Sequence, residues 1–466
     1  MARAIQAMCS TTDSALAAIT DLIGDRLTLN AAVRATHGRG EAFHRDMLPD
    51  AVAYPIATEE VSAIVRICAR HGVPVIAFGA GTSLEGNVAA PHGGVSLDLS
   101  RMDAVLDVNA ADLDCVVQPG VTREALNLAL RDQGLFFPID PGANATIGGM
   151  CATRASGTNA VRYGTMRDAV LWLEVVLADG TVIKTGTRAR KSAAGYDLTR
   201  LFVGSEGTLG IITRIGLRLH GLPEAISVAV CPFATLDGAV SAVVTAMQLG
   251  IPLARIEFLD AAMIGAINAY SRTTLAEQPT LMIEFHGSDA GVAEQTEAVR
   301  QIAGEFGGGD FRWATLAEER NALWKARHHA YFAAQALRPG SQLIVTDVCV
   351  PISRLTDCIT ETHADIARAG VVAPIVGHVG DGNFHVFLSV DPADAAEVEQ
   401  ARGLNDRLVT RAQAMHGTCT GEHGIGLGKQ AKLVDELGAE TVDVMRRIKQ
   451  ALDPQGVLNP GKIFEG

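Results

Sequence analysis

The sequence predicts an α+β protein of two main domains, and three observations carry that reading. Short apolar strand segments alternate with amphipathic helical stripes. Glycine-studded turns mark residues 47–224, and a different rhythm takes over from residue 225. The 466 residues are 48% apolar and 20% charged, with mean hydropathy +0.20, enough to bury sizeable cores and to exclude global disorder. Length alone suggests about three domains or two large ones.

Residues 1–46 form an N-terminal helical segment, with a helix over 13–36 on the spacing of Ala17, Ile19, Leu22 and Ile23 and with Asp13 as its N-cap. The next segment, 47–224, starts a helix at Thr58, with Glu59 and Glu60 in its first turn and a stripe of Val61, Ile64, Val65 and Cys68. The strand PVIAF and a glycine-rich turn follow, then VSLDLS, LDCVVQPG, LWLEVVLADG, TVIKTG and LGIITRIGLRLH as further strands. Residues 225–420 run strand AISVAVCPF, helix LDGAVSAVVTAMQLG, strands ARIEFLD and TLMIEFHGS, and helix GVAEQTEAVRQIAGEFG. That β-α-β-β-α order resembles a ferredoxin-like plait. A helical stretch at 316–337 precedes strands QLIVTDVCVPISRL and GVVAPIVGHVG, and residues 421–466 carry a last helix, TVDVMRRIKQALDP, stopped by Pro454.

Charge and cysteine usage narrow the function classes. With 52 acidic and 39 basic residues the net charge is -13, which argues against a nucleic-acid binder, since neutralising phosphates needs a basic surface. Eight scattered cysteines without a C-x-x-C pair read as reduced thiols in an intracellular chain. No apolar run approaches the ~18 residues of a membrane span, and Asp13 and Asp21 count against a signal or transit peptide. The expectation is a cytoplasmic protein, with peripheral contact at the inner membrane compatible.

Three small-residue loops carry the chemistry of a phosphate-bearing ligand. Gly79-Ala80-Gly81-Thr82-Ser83-Leu84-Glu85-Gly86-Asn87 follows a strand, where glycines let backbone N–H groups approach a phosphate and hydroxyls add donors. It is neither a Walker loop nor G-x-G-x-x-G, and a tight turn would explain it equally well. Residues 138–164, PIDPGANATIGGMCATRASGTNAVRYG, are almost free of bulky side chains, and GSEGTLGIIT at 204–213 holds Glu206 between glycines.

Together with the tail LNPGKIF, these loops closely resemble FAD-linked oxidases of the vanillyl-alcohol oxidase type, from about residue 45 to the C-terminus. The resemblance implies a two-domain FAD-binding fold with a ferredoxin-like substrate cap. It implies that the first loop, with Gly79, Ala80, Gly81, Thr82, Ser83, Gly86 and Asn87, holds the pyrophosphate. Pro141, Gly142, Thr146, Gly148, Gly149, Ser156, Gly157 and Gly164 would wrap the flavin and ribityl chain, with Glu206, Ile211 and Asn459 completing the cofactor set. No His or Cys lies between Pro74 and Asn87, so noncovalent FAD is expected.

GHVGDGNFH at 377–385 and GEHGIG at 421–426 offer His378, His385, Glu422 and His423. An odd separation of the first two would put them on opposite faces of one strand, but Gly380-Asp381-Gly382-Asn383 should break it. Two imidazoles and a carboxylate suit Zn²⁺ or Mn²⁺ with an open position for a substrate oxygen. The C-terminal half resembles the D-2-hydroxyacid dehydrogenase branch. That implies a metal on His378, His385 and Glu422, with His423 as the base that takes the hydroxyl proton while the C2 hydrogen leaves as hydride to flavin N5. It favours Arg327, among Lys325, Arg327, His328, His329 and Arg338, for the substrate carboxylate, with Asn383 also within reach of substrate. ALRPGSQLIVTDVCVPISRL is especially similar to flavin-type D-lactate dehydrogenases. Relatives acting on D-2-hydroxyglutarate place a lysine where Val345 stands, and an apolar residue there suits lactate or a longer apolar 2-hydroxy acid. No iron–sulfur or haem motif is present, so electrons are expected to pass to an external quinone or cytochrome. A homodimer is compatible with these features. The alternatives are a glycolate oxidase catalytic subunit, a D-2-hydroxyglutarate dehydrogenase and, in a different class, a zinc hydrolase without flavin.

Overall fold

The computed structural model describes residues 2–41 and 43–464, with side chains from residue 11 onward. The chain divides into two compact units: Met1–Ser156, Thr165–Gly221 and Glu422–Gly466 in the first, Gly157–Gly164 and Leu222–Gly421 in the second. The N- and C-terminal segments thus group with residues 47–221, whereas residues 157–164, expected inside the FAD domain, group with the second unit. No helix among the described residues is long and apolar enough to cross a membrane.

Besides the two-stranded ladder of Leu135–Phe136 with His220–Gly221, the first unit holds two larger sheets. One has four strands in the order Leu27–Thr28, Ala51–Ala53, Val95–Asp98 and Val75–Phe78, the last three parallel. The other is antiparallel, in the order Val105–Asn109, Asp114–Val117, Ile211–Arg218, Val170–Val176 and Val182–Lys184. Helix Thr58–His71 presents the predicted stripe, and Val61, Ile64, Val65 and Cys68 are buried with Ile19, Val75 and Leu97. The expected helix over 13–36 is instead two helices, Ala2–Ile23 and Ala31–Arg39. Gly24, at φ 62°, ends the first in the left-handed region, and the Asn30 side chain caps the second by accepting from the backbone of Ala32 and Val33. Asp13 therefore lies inside a helix and caps nothing. The tail closes the smaller sheet: Val75 donates to Val457 O at 2.8 Å, and Asn459 donates to Val75 O at 2.9 Å.

In the second unit, β1 (Ala225–Pro232), α1 (Leu236–Gln248), β2 (Leu253–Leu259), α2 (Ala261–Ser271), β3 (Thr280–Gly287), α3 (Asp289–Glu305) and β4 (Arg312–Ala314) lead into helices α4 (Ala317–His328) and α5 (Ala330–Ala336). Then come β5 (Gln342–Val345), β6 (Val348–Cys349), β7 (Ile375–His378) and β8 (Asn383–Val390). The sheet order is β4-β1-β3-β2-β7-β8-β5, with β6 on β8. The first seven elements form the expected plait with one correction: α2 stands between β2 and β3, capped by Asp260, whose Oδ1 accepts from Met263 N at 2.7 Å. Its run AAMIGAINAY is apolar nearly all round, so no amphipathic stripe announced it. The predicted helix at 316–337 is split at His329.

Residues 157–164 belong to this unit through a polar seam. Arg162 donates to the carbonyls of Pro252 and His286 at 2.7 and 3.0 Å, the Tyr163 hydroxyl lies 2.8 Å from His286 Nδ1, and Arg255 Nε donates to Asn159 Oδ1 at 2.9 Å.

Candidate active site

In the first unit, the structure gathers the first loop, the Glu206 loop, the GEHGIG turn and the tail around one buried carboxylate. Glu206 sits at φ 52°, accepts from the backbone N–H of Ile425 at 2.7 Å and of Gly426 at 2.8 Å, and accepts from Asn87 Nδ2 at 2.5 Å. Burial pushes its carboxyl pKa up, against the pull of these donors. Asn459 Nδ2 donates to the Glu206 carbonyl at 2.7 Å and to the Asn87 carbonyl at 3.1 Å. Both residues, expected in the cofactor set, hold these four segments in register.

The loops themselves fit a polar ligand. The Oγ of Ser83 and the Oγ1 of Thr146 are shielded from solvent without a protein hydrogen-bond partner, as is Asn87 Oδ1. A buried hydroxyl left so costs about 1–3 kcal/mol, which a bound acceptor or donor would recover. A Cβ on Gly79 would lie 2.2 Å from Thr146 Oγ1, so the first two loops meet where only glycine fits. Gly148 makes a similar approach to Pro119, 2.5 Å from an added Cβ. Gly142 meets nothing within 4 Å, Pro141 and Ser156 are half-buried, and Ile211 opens the strand paired with Val176. Gly157 and Gly164 lie in the second unit. His423 in the GEHGIG turn is mostly buried, its Nδ1 3.9 Å from Glu85 Oε1, and Lys429 Nζ holds that carboxylate at 2.8 Å. The first glycine loop and the turn bearing the predicted base are therefore neighbours.

In the second unit, β7 and β8 form an antiparallel hairpin with His378 opposite Asn383 and Val376 opposite His385. The four-residue turn reverses the chain, which returns both histidines to one face with ring centroids 5.4 Å apart. His385 Nδ1 lies 2.9 Å from the Thr346 carbonyl, an obligate acceptor, so that nitrogen carries the proton. His378 Nδ1 lies 2.7 Å from Glu257 Oε1. In the neutral rings the protons then sit on Nδ1 and the lone pairs on Nε2, the tautomer a metal ligand needs.

Glu257 on β2 is fully buried and was not singled out from the sequence; ARIEFLD shows only one acid in an apolar strand. Its other oxygen, Oε2, accepts from Arg327 Nε at 3.0 Å and Nη2 at 2.6 Å. Burial opposes its ionisation, but His378 and Arg327 outweigh that and hold the carboxyl below its ordinary range. Arg327 is buried, with one edge of its fork already engaged. By contrast, Lys325 and His328 are exposed and Arg338 pairs with Glu397 at the surface. Asn383 donates to Asp347 Oδ1 and to the Val348 carbonyl, both at 2.8 Å, while its Oδ1 is buried without a partner. Val345 is half-buried opposite Phe387 and packs on the apolar cluster of this unit. Because Phe387 and His385 are two apart on β8, Val345 shares the face of the histidines. Gly421 lies against Asn383, 2.2 Å from its Nδ2 to an added Cβ, and Glu422 is the next residue.

The sequence matches the family described as FAD linked oxidases, C-terminal domain, over residues 222–463, and the FAD binding domain over residues 49–186. The chain belongs to the FAD-linked oxidase family. A probable mitochondrial D-lactate dehydrogenase from Danio rerio is 52% identical over 99% of this chain and 94% of its own. A mitochondrial D-lactate dehydrogenase [cytochrome] from Arabidopsis thaliana is 46% identical over 95% of this chain and 78% of its own. The fold is shared with 4-ethylphenol oxidase from Gulosibacter chungangensis, at TM-score 0.80 and 21% identity, covering 98% of both chains. Membership in this oxidase family sets aside the flavin-free zinc hydrolase. Among the described residues Cys68, Cys115, Cys151, Cys231, Cys349, Cys358 and Cys419 form no disulfide; the Cys9 side chain lies outside them.

Proposed function

We propose that this FAD-linked oxidase is a dehydrogenase that oxidises D-lactate, or a closely similar apolar D-2-hydroxy acid, to the 2-oxo acid. The observation that carries the reading is the histidine pair on β7 and β8, on one face with ring centroids 5.4 Å apart and each Nδ1 held by an oxygen acceptor. The relatives named as D-lactate dehydrogenases supply the substrate class.

His378, His385 and Glu422 are the proposed ligands of a divalent cation, Zn²⁺ or Mn²⁺. When bound, such a cation would acidify the substrate hydroxyl, and FAD would accept the hydride. His423 accepts the hydroxyl proton, and Glu85 beside it stabilises the resulting imidazolium, with Lys429 holding Glu85 in place. Arg327 binds the substrate carboxylate through the edge that Glu257 leaves open. Ser83 and Thr146 donate to noncovalent FAD from the glycine loops. Val345 lines the end of the site that receives the substrate's methyl group. An external acceptor of the cytochrome or quinone kind would take up the electrons.

The test is anaerobic titration of the purified flavoprotein with D- and L-2-hydroxy acids, read as bleaching of the flavin absorbance. D-lactate is expected to bleach it and L-lactate not. Chelation should abolish bleaching while the flavin stays bound. Preferential bleaching by glycolate or D-2-hydroxyglutarate would overturn the substrate assignment.

A further inference from the structure

Glu257 lies at 0% exposure in the middle of β2, and each of its oxygens meets a different group. Oε1 meets His378 Nδ1 at 2.7 Å, and Oε2 meets the Nε/Nη2 edge of Arg327 at 3.0 and 2.6 Å. A buried ion pair contributes little net stability over a well-packed apolar pair. This one does something an apolar pair could not: it fixes a ring tautomer and a guanidinium orientation with one carboxylate.

We infer that Glu257 is a positioning residue that sets the metal ligand His378 and the substrate anchor Arg327 together; this rests on the ligand and anchor roles proposed above. Against Oε1, His378 keeps its proton on Nδ1 and its lone pair on Nε2. Against Oε2, Arg327 loses the use of its Nε/Nη2 edge and keeps the Nη1/Nη2 edge, whose two parallel N–H bonds match a carboxylate. Neither side chain needs to reorganise when cation and substrate arrive.

The chemistry makes Glu257→Gln a sharp probe. The carboxylate faces donors on both sides, but a carboxamide offers one acceptor and one donor. Arg327 cannot give up a proton, whereas an imidazole can exchange tautomers. The Gln amide nitrogen therefore turns toward His378, Nδ1 becomes the acceptor and the proton moves to Nε2, the ligand position.

The experiment strips divalent cations from the FAD-loaded wild type and the Gln variant, then titrates Zn²⁺ in competition with a chromophoric chelator. Flavin absorbance reports intact protein. The variant is expected to keep FAD and to bind Zn²⁺ about 10–100-fold more weakly. A double variant, Glu257→Met with Arg327→Met, removes both charges, so no unpaired ion is buried; it should show the same loss, because His378 is still unanchored. FAD-loaded variants that bind Zn²⁺ as tightly as the wild type overturn the inference alone. A wild type that takes up no Zn²⁺ overturns the ligand reading and the inference together.

Discussion

The carbonyl oxygen of Glu206 accepts a 2.7 Å hydrogen bond from Asn459 Nδ2, across 253 positions of sequence. The same glutamate accepts from Ile425, Gly426 and Asn87 through its carboxylate. Removing it by Glu206→Ala would strand three buried donors, each costing about 1–3 kcal/mol. The variant should lose at least about 3 kcal/mol of stability and should release FAD at lower denaturant. Denaturant midpoints followed by flavin fluorescence check this; a midpoint equal to the wild type would remove Glu206 from its organising role.

His423→Ala should slow flavin reduction by D-lactate by roughly two to four decades, the range for a lost general base. Substrate binding should weaken far less, because Arg327 is untouched. Stopped-flow reduction under anaerobic conditions separates the two effects. Reduction at near wild-type rate would assign the proton transfer elsewhere.

Val345→Lys tests the shape of the substrate's far end. A charge-assisted hydrogen bond contributes about 1.5–3 kcal/mol, so the variant should gain tenfold to hundredfold in kcat/KM for D-2-hydroxyglutarate relative to D-lactate. The half-buried position opposite Phe387 carries a cost, since the apolar stem must repack and an unsatisfied ammonium is penalised. A wild type that already prefers the dicarboxylate would refute the placement.

Asp260 gives a pH dependence. Burial raises its pKa from 3.8 to about 7, and the carboxyl caps α2. The folded state therefore binds the proton more tightly than the unfolded one. This contribution to stability is full below about pH 4 and is lost as pH rises to about 7. Asp260→Asn keeps the capping oxygen and removes the titration. Unfolding midpoints between pH 5 and 8 should fall less steeply in the variant than in the wild type; parallel slopes would disprove the assignment.

The glycine loops were legible because small residues in long irregular segments have few other uses, and the histidines because glycines flanked them. What the sequence hid was of another kind. Glu257 is one acid among apolar neighbours, and nothing local distinguishes it from an exposed edge residue. Helix α2 lacks a polar face, so periodicity could not separate it from strand. Glu206 was visible, but its partners Ile425 and Gly426 act through backbone N–H groups, which side-chain patterns do not report.

The seam made by Asn159, Arg162 and Tyr163 bears on how much of this chain could fold alone. A fragment spanning residues 222–421 would have unbroken sequence and the whole plait, yet it would lack these three side chains. His286 Nδ1 would lose the tyrosine hydroxyl, the Pro252 carbonyl would lose its guanidinium, and Arg255 would lose the Asn159 oxygen. Cutting the second unit at its sequence boundaries would therefore leave these groups to water. These eight residues are encoded inside the segment that resembles a flavin-wrapping loop, so a lesion in that loop is expected to disturb the second unit as well.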